Sequence, residues 1–140
     1  MARIICIDYG RKRCGIAVTD ELRLTATPLT TVGVHEVMQF VLDYIAKNKV
    51  DLVIVGKPTT LRGEASESWT YIEPFIKGLS KRLPQGVKLE LYDERFTSAL
   101  AHQAMLDGGL GQKARRDKAL VDRTAATIIL TDYLQSIYNH

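Results

Sequence analysis

Only two cysteines and three histidines occur in the 140 residues, and their placement excludes several chemistries. Cys6 and Cys14 have no histidine near them, so they do not form a zinc-binding spacing. They fall in adjacent candidate strands and could face each other, but without an export signal they read as reduced, buried, small apolar residues. His35, His102 and His140 stand in no Ser-His-Asp or Cys-His context, and His102 is expected on a helix surface. Long apolar runs are missing too: none reaches the roughly 18 residues that cross a bilayer. The opening Met-Ala-Arg-Ile-Ile-Cys-Ile-Asp lacks the apolar stretch and cleavage signature of a signal peptide, so a cytoplasmic protein is expected, with no membrane partner. Gly10-Arg-Lys-Arg-Cys-Gly15 is not followed by Gly-Lys-Ser/Thr, which excludes a phosphate-binding P-loop. Repeats and low-complexity stretches are absent.

What is present is ordinary for a soluble globular chain: 46% hydrophobic and 25% charged residues. The length suits one domain, residues 1–140, able to bury its own core without disulfides or a structural metal. Runs rich in Ile, Val and Thr at 2–8, 14–19 and 23–32, separated by short turns, read as an antiparallel meander. Val37, Phe40, Val41, Tyr44 and Ile45 carry helical spacing through 34–47, and 51–56 is a short apolar run suited to a strand buried on both faces. A second helix is predicted over 66–83, with Trp69, Ile72, Phe75, Ile76 and Leu79 as its core stripe. A strand follows at 87–92, then helices over 97–106 and 118–137. The Gly-rich basic segment between those helices, 107–117, is expected to be mobile. A meander followed by two right-handed crossovers gives an α/β fold whose five-stranded mixed sheet has the order 3-2-1-4-5 and carries helices on both faces.

Three acids occupy positions that this topology brings together. Asp8 closes the first strand, Glu94 follows the last, and Asp122 precedes Ala125, Ala126 and Ile129 by three, four and seven residues, on one helical face. Each alone could be a turn former or a helix cap. Together, at the C-terminal ends of parallel strands, they would repel one another unless a divalent cation lay between them, which points to Mg²⁺ or Mn²⁺.

The net charge of +3 permits a polyanionic partner. Its distribution is more informative. Arg11, Lys12 and Arg13 crowd the turn after Asp8, Lys57 and Arg62 are expected in the loop after the fourth strand, and Arg95 follows Glu94. Lys113, Arg115, Arg116, Lys118 and Arg123 surround Asp122. The basic residues flank the acids instead of scattering, as a nucleic-acid contact requires, although a solvated surface remains the simpler alternative.

These residues resemble the ribonuclease H-like nucleases, and more closely the YqgF/RuvX family of Holliday-junction-resolvase-like proteins. The resemblance spans essentially the whole chain. It rests on Ile7-Asp8-Tyr9-Gly10-Arg11-Lys12-Arg13-Cys14-Gly15-Ile16-Ala17-Val18-Thr19-Asp20, on Ile54-Val55-Gly56-Lys57-Pro58 with Gly63, on Asp93-Glu94-Arg95-Phe96-Thr97-Ser98, and on Lys118-Ala-Leu-Val-Asp122-Arg-Thr-Ala125-Ala126. It implies a three-layer α/β/α fold and a hydrolase of phosphodiester bonds, a two-metal endonuclease. Asp8, Glu94 and Asp122 would be its catalytic, metal-binding set. Family members are proposed either to mature the 5′ end of pre-16S rRNA or to resolve four-way DNA junctions, so pre-rRNA or branched DNA is the implied partner. Thr60 and Arg62 stand where the family commonly has Asn and Asp, so substrate contacts of that loop are not carried over.

Two other classes stay open on the sequence alone. The actin-like ATPases share an Asp-x-Gly hairpin, but they enclose a nucleotide between two such domains. A catalytically silent nucleic-acid-binding module would keep the basic edge and use the acids structurally. A junction resolvase, which cuts two strands symmetrically, favours a homodimer, whereas an RNA-trimming nuclease can act as a monomer.

Overall fold

The computed structural model describes residues 2–57, 69–93 and 118–138, with backbone alone for Lys57, Asp93, 118–124 and Tyr138. The strands are β1 (Arg3–Tyr9), β2 (Arg13–Thr19), β3 (Ala26–Gly33), β4 (Val50–Lys57) and β5 (Lys88–Asp93). The helices are α1 (Val37–Lys47), α2 (Trp69–Arg82) and α3 (Lys118–Tyr138). The sheet order is β3-β2-β1-β4-β5, as the crossover rule predicts. β1 pairs antiparallel with β2 and parallel with β4, and β4 pairs parallel with β5.

Period-two alternation sorts the apolar residues into two cores. Ile5 and Ile7 of β1, Ile16 of β2, and Val53 and Val55 of β4 pack against Val37 and Val41 of α1 and Ile72, Phe75 and Leu79 of α2. Ile4, Cys6, Ala17, Leu52 and Ile54 meet Ala126, Ile129, Leu130 and Leu134 of α3 on the other face. The spacing 126, 129, 130, 134 is the apolar stripe of a helix laid on a sheet. Cys6 and Cys14 therefore do not face each other: they are buried in opposite layers.

The third strand starts at Ala26, three residues later than the apolar run predicts, because the chain before it is tied into a turn. Asp20 Oδ1 accepts hydrogen bonds from the Leu24 and Thr25 amides at 2.8 and 2.9 Å. These bonds hold the Asp20 carboxyl below its usual range, the Thr25 amide contributing most. Arg23 takes a φ of 59°, and its guanidinium bonds the Ala2 carbonyl and pairs with Asp51. Helix α1 likewise starts at Val37 and not at residue 34, since Gly33–Glu36 closes a turn through the Glu36 amide and Gly33 carbonyl at 2.9 Å. Gly86, at φ 93° with the Val87 amide bonded to the Pro84 carbonyl, makes the tight turn into β5. The predicted helix over 97–106 and the segment 107–117 lie outside the described residues.

Helix α3 packs chiefly over β2 and β3, and less over β1. Asp132 accepts a hydrogen bond from Tyr92, late in β5, while Tyr133 donates to Glu90, earlier in it, at 3.3 Å. Burial and the Glu90 carboxylate raise the Tyr133 phenol above its ordinary range, and the charges of Arg23 and Asp51, at the start of β4, act on the same group.

Thr19, buried at the end of β2, joins that strand to β1: its Oγ1 accepts from the Ile4 amide at 2.9 Å. Thr19→Val keeps the shape but orphans a buried amide, so we expect a loss of about 1–3 kcal/mol in denaturant unfolding. An unchanged midpoint would show that this bond contributes nothing.

Candidate active site

Asp8 is the last residue but one of β1, half-buried, and alternation after Ile4 and Cys6 puts it on the α3 face. Its partner across the antiparallel ladder is Gly15. On its other side, one step beyond the Ile7–Val55 pair, lies Gly56 of β4, itself opposite Tyr92 of β5. The carboxylate thus stands on a strip of sheet where both lateral neighbours lack side chains. Gly15, Asp8 and Gly56 form one row across three strands.

Asp122 lies near the start of α3, the helix packed on the same face of the sheet as Asp8. Only the backbone of Asp122 is described, and Glu94, the residue after β5, is outside the described set, so the acid triad is represented by Asp8 alone. Among the described residues no three His, Cys, Asp or Glu side chains form a metal-binding group.

The basic turn after Asp8 divides between the two faces of the sheet. Arg13 opens β2 two positions before Gly15, which makes it a diagonal neighbour of Asp8 on the α3 face. Arg11 goes the other way, its Cζ 5.7 Å from the ring centroid of Tyr71 on α2. Lys12 is exposed. Lys57 ends β4 opposite Asp93, and Lys118 opens α3. Arg62, Arg95, Lys113, Arg115 and Arg116 lie outside the described residues.

Sequence reasoning did not single out Tyr9 and Tyr71. Tyr9 leaves β1 on the face opposite Asp8, its ring 4.6 Å from that of Phe75 and 6.2 Å from that of Tyr71. Burial, and then Cys14 and Tyr71, raise its phenol above the ordinary value, so it stays a neutral packing group and not a base. The available signal was that Tyr71 precedes Phe75 by four residues, one helical turn on the same face.

The fold is of the ribonuclease H-like class. The solved structure titled "T. thermophilus RuvC in complex with Holliday junction substrate" superposes with a TM-score of 0.57 at 19% identity, covering 99% of this chain and 96% of that one. Curated relatives are far closer in sequence. A Bacteroides thetaiotaomicron protein is 54% identical over 136 residues, covering 97% of this chain and 98% of its own. One from Flavobacterium johnsoniae is 48% identical over 136 residues, covering 97% and 98%. Both carry the name "Putative pre-16S rRNA nuclease". The family described as "RuvX: Holliday junction resolvase" matches residues 2–136. This chain belongs to the RuvX family of nucleases.

The Gly10 amide bonds the Arg13 carbonyl at 3.0 Å to close the turn behind Asp8, and a Cβ on residue 10 would sit 2.4 Å from that carbonyl oxygen. Gly10→Ala must therefore spread the turn, and we expect about 1–3 kcal/mol of destabilisation in chemical unfolding. Wild-type stability would mean that the turn yields freely.

Proposed function

We propose that this chain is a cytoplasmic, divalent-metal-dependent endonuclease that trims the 5′ end of pre-16S rRNA. The observation that carries the reading is Asp8, half-buried on a strip of sheet flanked by Gly15 and Gly56, with Arg13 diagonal to it. The relatives' name supplies the substrate. Among the described residues no helix is long and apolar enough to cross a membrane.

The site's donors fit a hard cation. Asp8, Glu94 and Asp122 offer carboxylate oxygens only, the ligand type that Mg²⁺ and Mn²⁺ prefer, and would hold such ions. When bound, the metal would supply an activated water and neutralise charge on the leaving 3′ oxygen. The protein's own contribution is positional. The ladder pairs of β1 with β2 and β4 fix Asp8, Arg13 offers a guanidinium to phosphate oxygens, and the missing side chains at residues 15 and 56 let the sugar-phosphate backbone come close. The family description favours a second reading, resolution of four-way DNA junctions by a two-fold dimer.

Asp8→Asn, Glu94→Gln and Asp122→Asn are each expected to abolish Mg²⁺- or Mn²⁺-dependent cleavage of a 5′-extended 16S precursor while leaving the melting temperature unchanged or raised. Removing one charge weakens the metal site and relieves repulsion in the metal-free protein. Full activity in the Asp8 variant would end the metal reading. Cutting of a four-way DNA junction with the RNA left intact would transfer the assignment to the second one.

A further inference from the structure

On the side of the sheet away from Asp8, a row of planar groups runs from the core to the surface. Phe75 is buried, Tyr9 leans on it at 4.6 Å, Tyr71 follows at 6.2 Å, and the exposed guanidinium of Arg11 lies over Tyr71 at 5.7 Å. The outermost member hangs from an anchored turn. Gly10 and Arg13 bond across it, and the Lys12 carbonyl accepts from the Val34 amide at 3.0 Å, so its backbone is fixed on both sides. The row begins one residue from the proposed catalytic acid, because Tyr9 follows Asp8 directly in the strand.

We infer that Arg11 and Tyr71 form a stacking platform for an unpaired base of the substrate, next to the phosphate that Asp8 addresses. The inference rests on the nuclease reading and deepens it: the enzyme takes single-stranded or splayed nucleic acid across the α2 side of its active edge. A guanidinium laid over an aromatic ring keeps its outer face open, and a flat, weakly hydrated cation there offers a base the surface on which unpaired nucleotides stack. The simpler alternatives are a solvated surface cation and a phosphate contact. A phosphate contact needs only charge, so it does not explain why the guanidinium rests on a ring that is itself supported back to the core. In a paired duplex the bases are already stacked on one another, so the platform discriminates in favour of single strands.

The test is binding without divalent metal, in EDTA, where cleavage does not interfere. A labelled single-stranded 12-mer RNA and the blunt duplex of the same sequence are titrated with wild type, Arg11→Lys, Arg11→Ala and Tyr71→Leu. Arg11→Lys keeps the charge and removes the plane; Tyr71→Leu keeps apolar packing and removes the ring. Each is expected to weaken single-strand binding by about 5- to 150-fold, with duplex binding changed less than about twofold and, for Arg11→Lys, the salt slope unchanged. Arg11→Lys binding the single strand like wild type, with Arg11→Ala lowering the salt slope by about 0.7, would make Arg11 a phosphate contact and overturn the inference. Equal losses on both nucleic acids would overturn it too. Should Tyr71→Leu lower the melting temperature, the exposed Arg11→Lys variant decides alone. If wild type binds and cleaves but these variants match it, only the platform fails; if wild type binds no nucleic acid, the nuclease reading fails with it.

Discussion

A slip of one residue between β1 and its neighbours would move Ile4 and Cys6 out from under α3 and turn Asp8 to the opposite face of the sheet. Ile5 and Ile7 must lie under α1 and α2, Ile4 and Cys6 under α3, and one phase of the strand satisfies both. Burying an isoleucine contributes about 1.5–3 kcal/mol, and Ile4, Ile5 and Ile7 lie on one strand. The position of the acid is therefore set by the core residues that directly precede it.

The same alternation gives the active edge two unlike sides. On the α3 side stand Asp8, its glycine neighbours, Arg13 and the helix that carries residue 122. On the α2 side stand Tyr9, Tyr71 and Arg11. Carboxylates that hold cations need a polar, roomy setting, whereas rings that support a stacked base need packing behind them. Consecutive residues of one strand, Asp8 and Tyr9, suit the proposed metal site and the proposed base platform respectively because they point to opposite faces.

Most of the architecture was legible because it rests on period. The Ile-rich alternation of β1 and β2, the i, i+3, i+4 stripes of α1 and α2, and two crossovers fixed the strand order. Residues that escaped were those governed by local hydrogen bonds. The predicted third strand took in residues 23–25, but the Asp20 carboxylate captures the amides of Leu24 and Thr25 and Arg23 turns left-handed, delaying β3. Cys6 and Cys14 looked like cross-strand neighbours, yet Cys6 faces Ala17 and Cys14 faces Tyr9, three rungs apart and on opposite faces. In the site, Asp8 could be read from its place at a strand end. That Gly15 and Gly56 flank it in one row depends on pairings that no single segment encodes. Tyr71 was hidden by its own stripe, where an aromatic residue at helical spacing reads as core.

The central claim is that Asp8, Glu94 and Asp122 share one divalent-metal site at the end of the parallel strands. The most direct measurement is an anomalous-scattering map from crystals of the wild-type chain soaked in Mn²⁺. The account predicts manganese peaks within direct coordination distance of carboxylate oxygens from all three residues, on the α3 face between Asp8 and the helix. Manganese held by Asp8 alone, or by acids elsewhere on the surface with the three carboxylates apart, would contradict it.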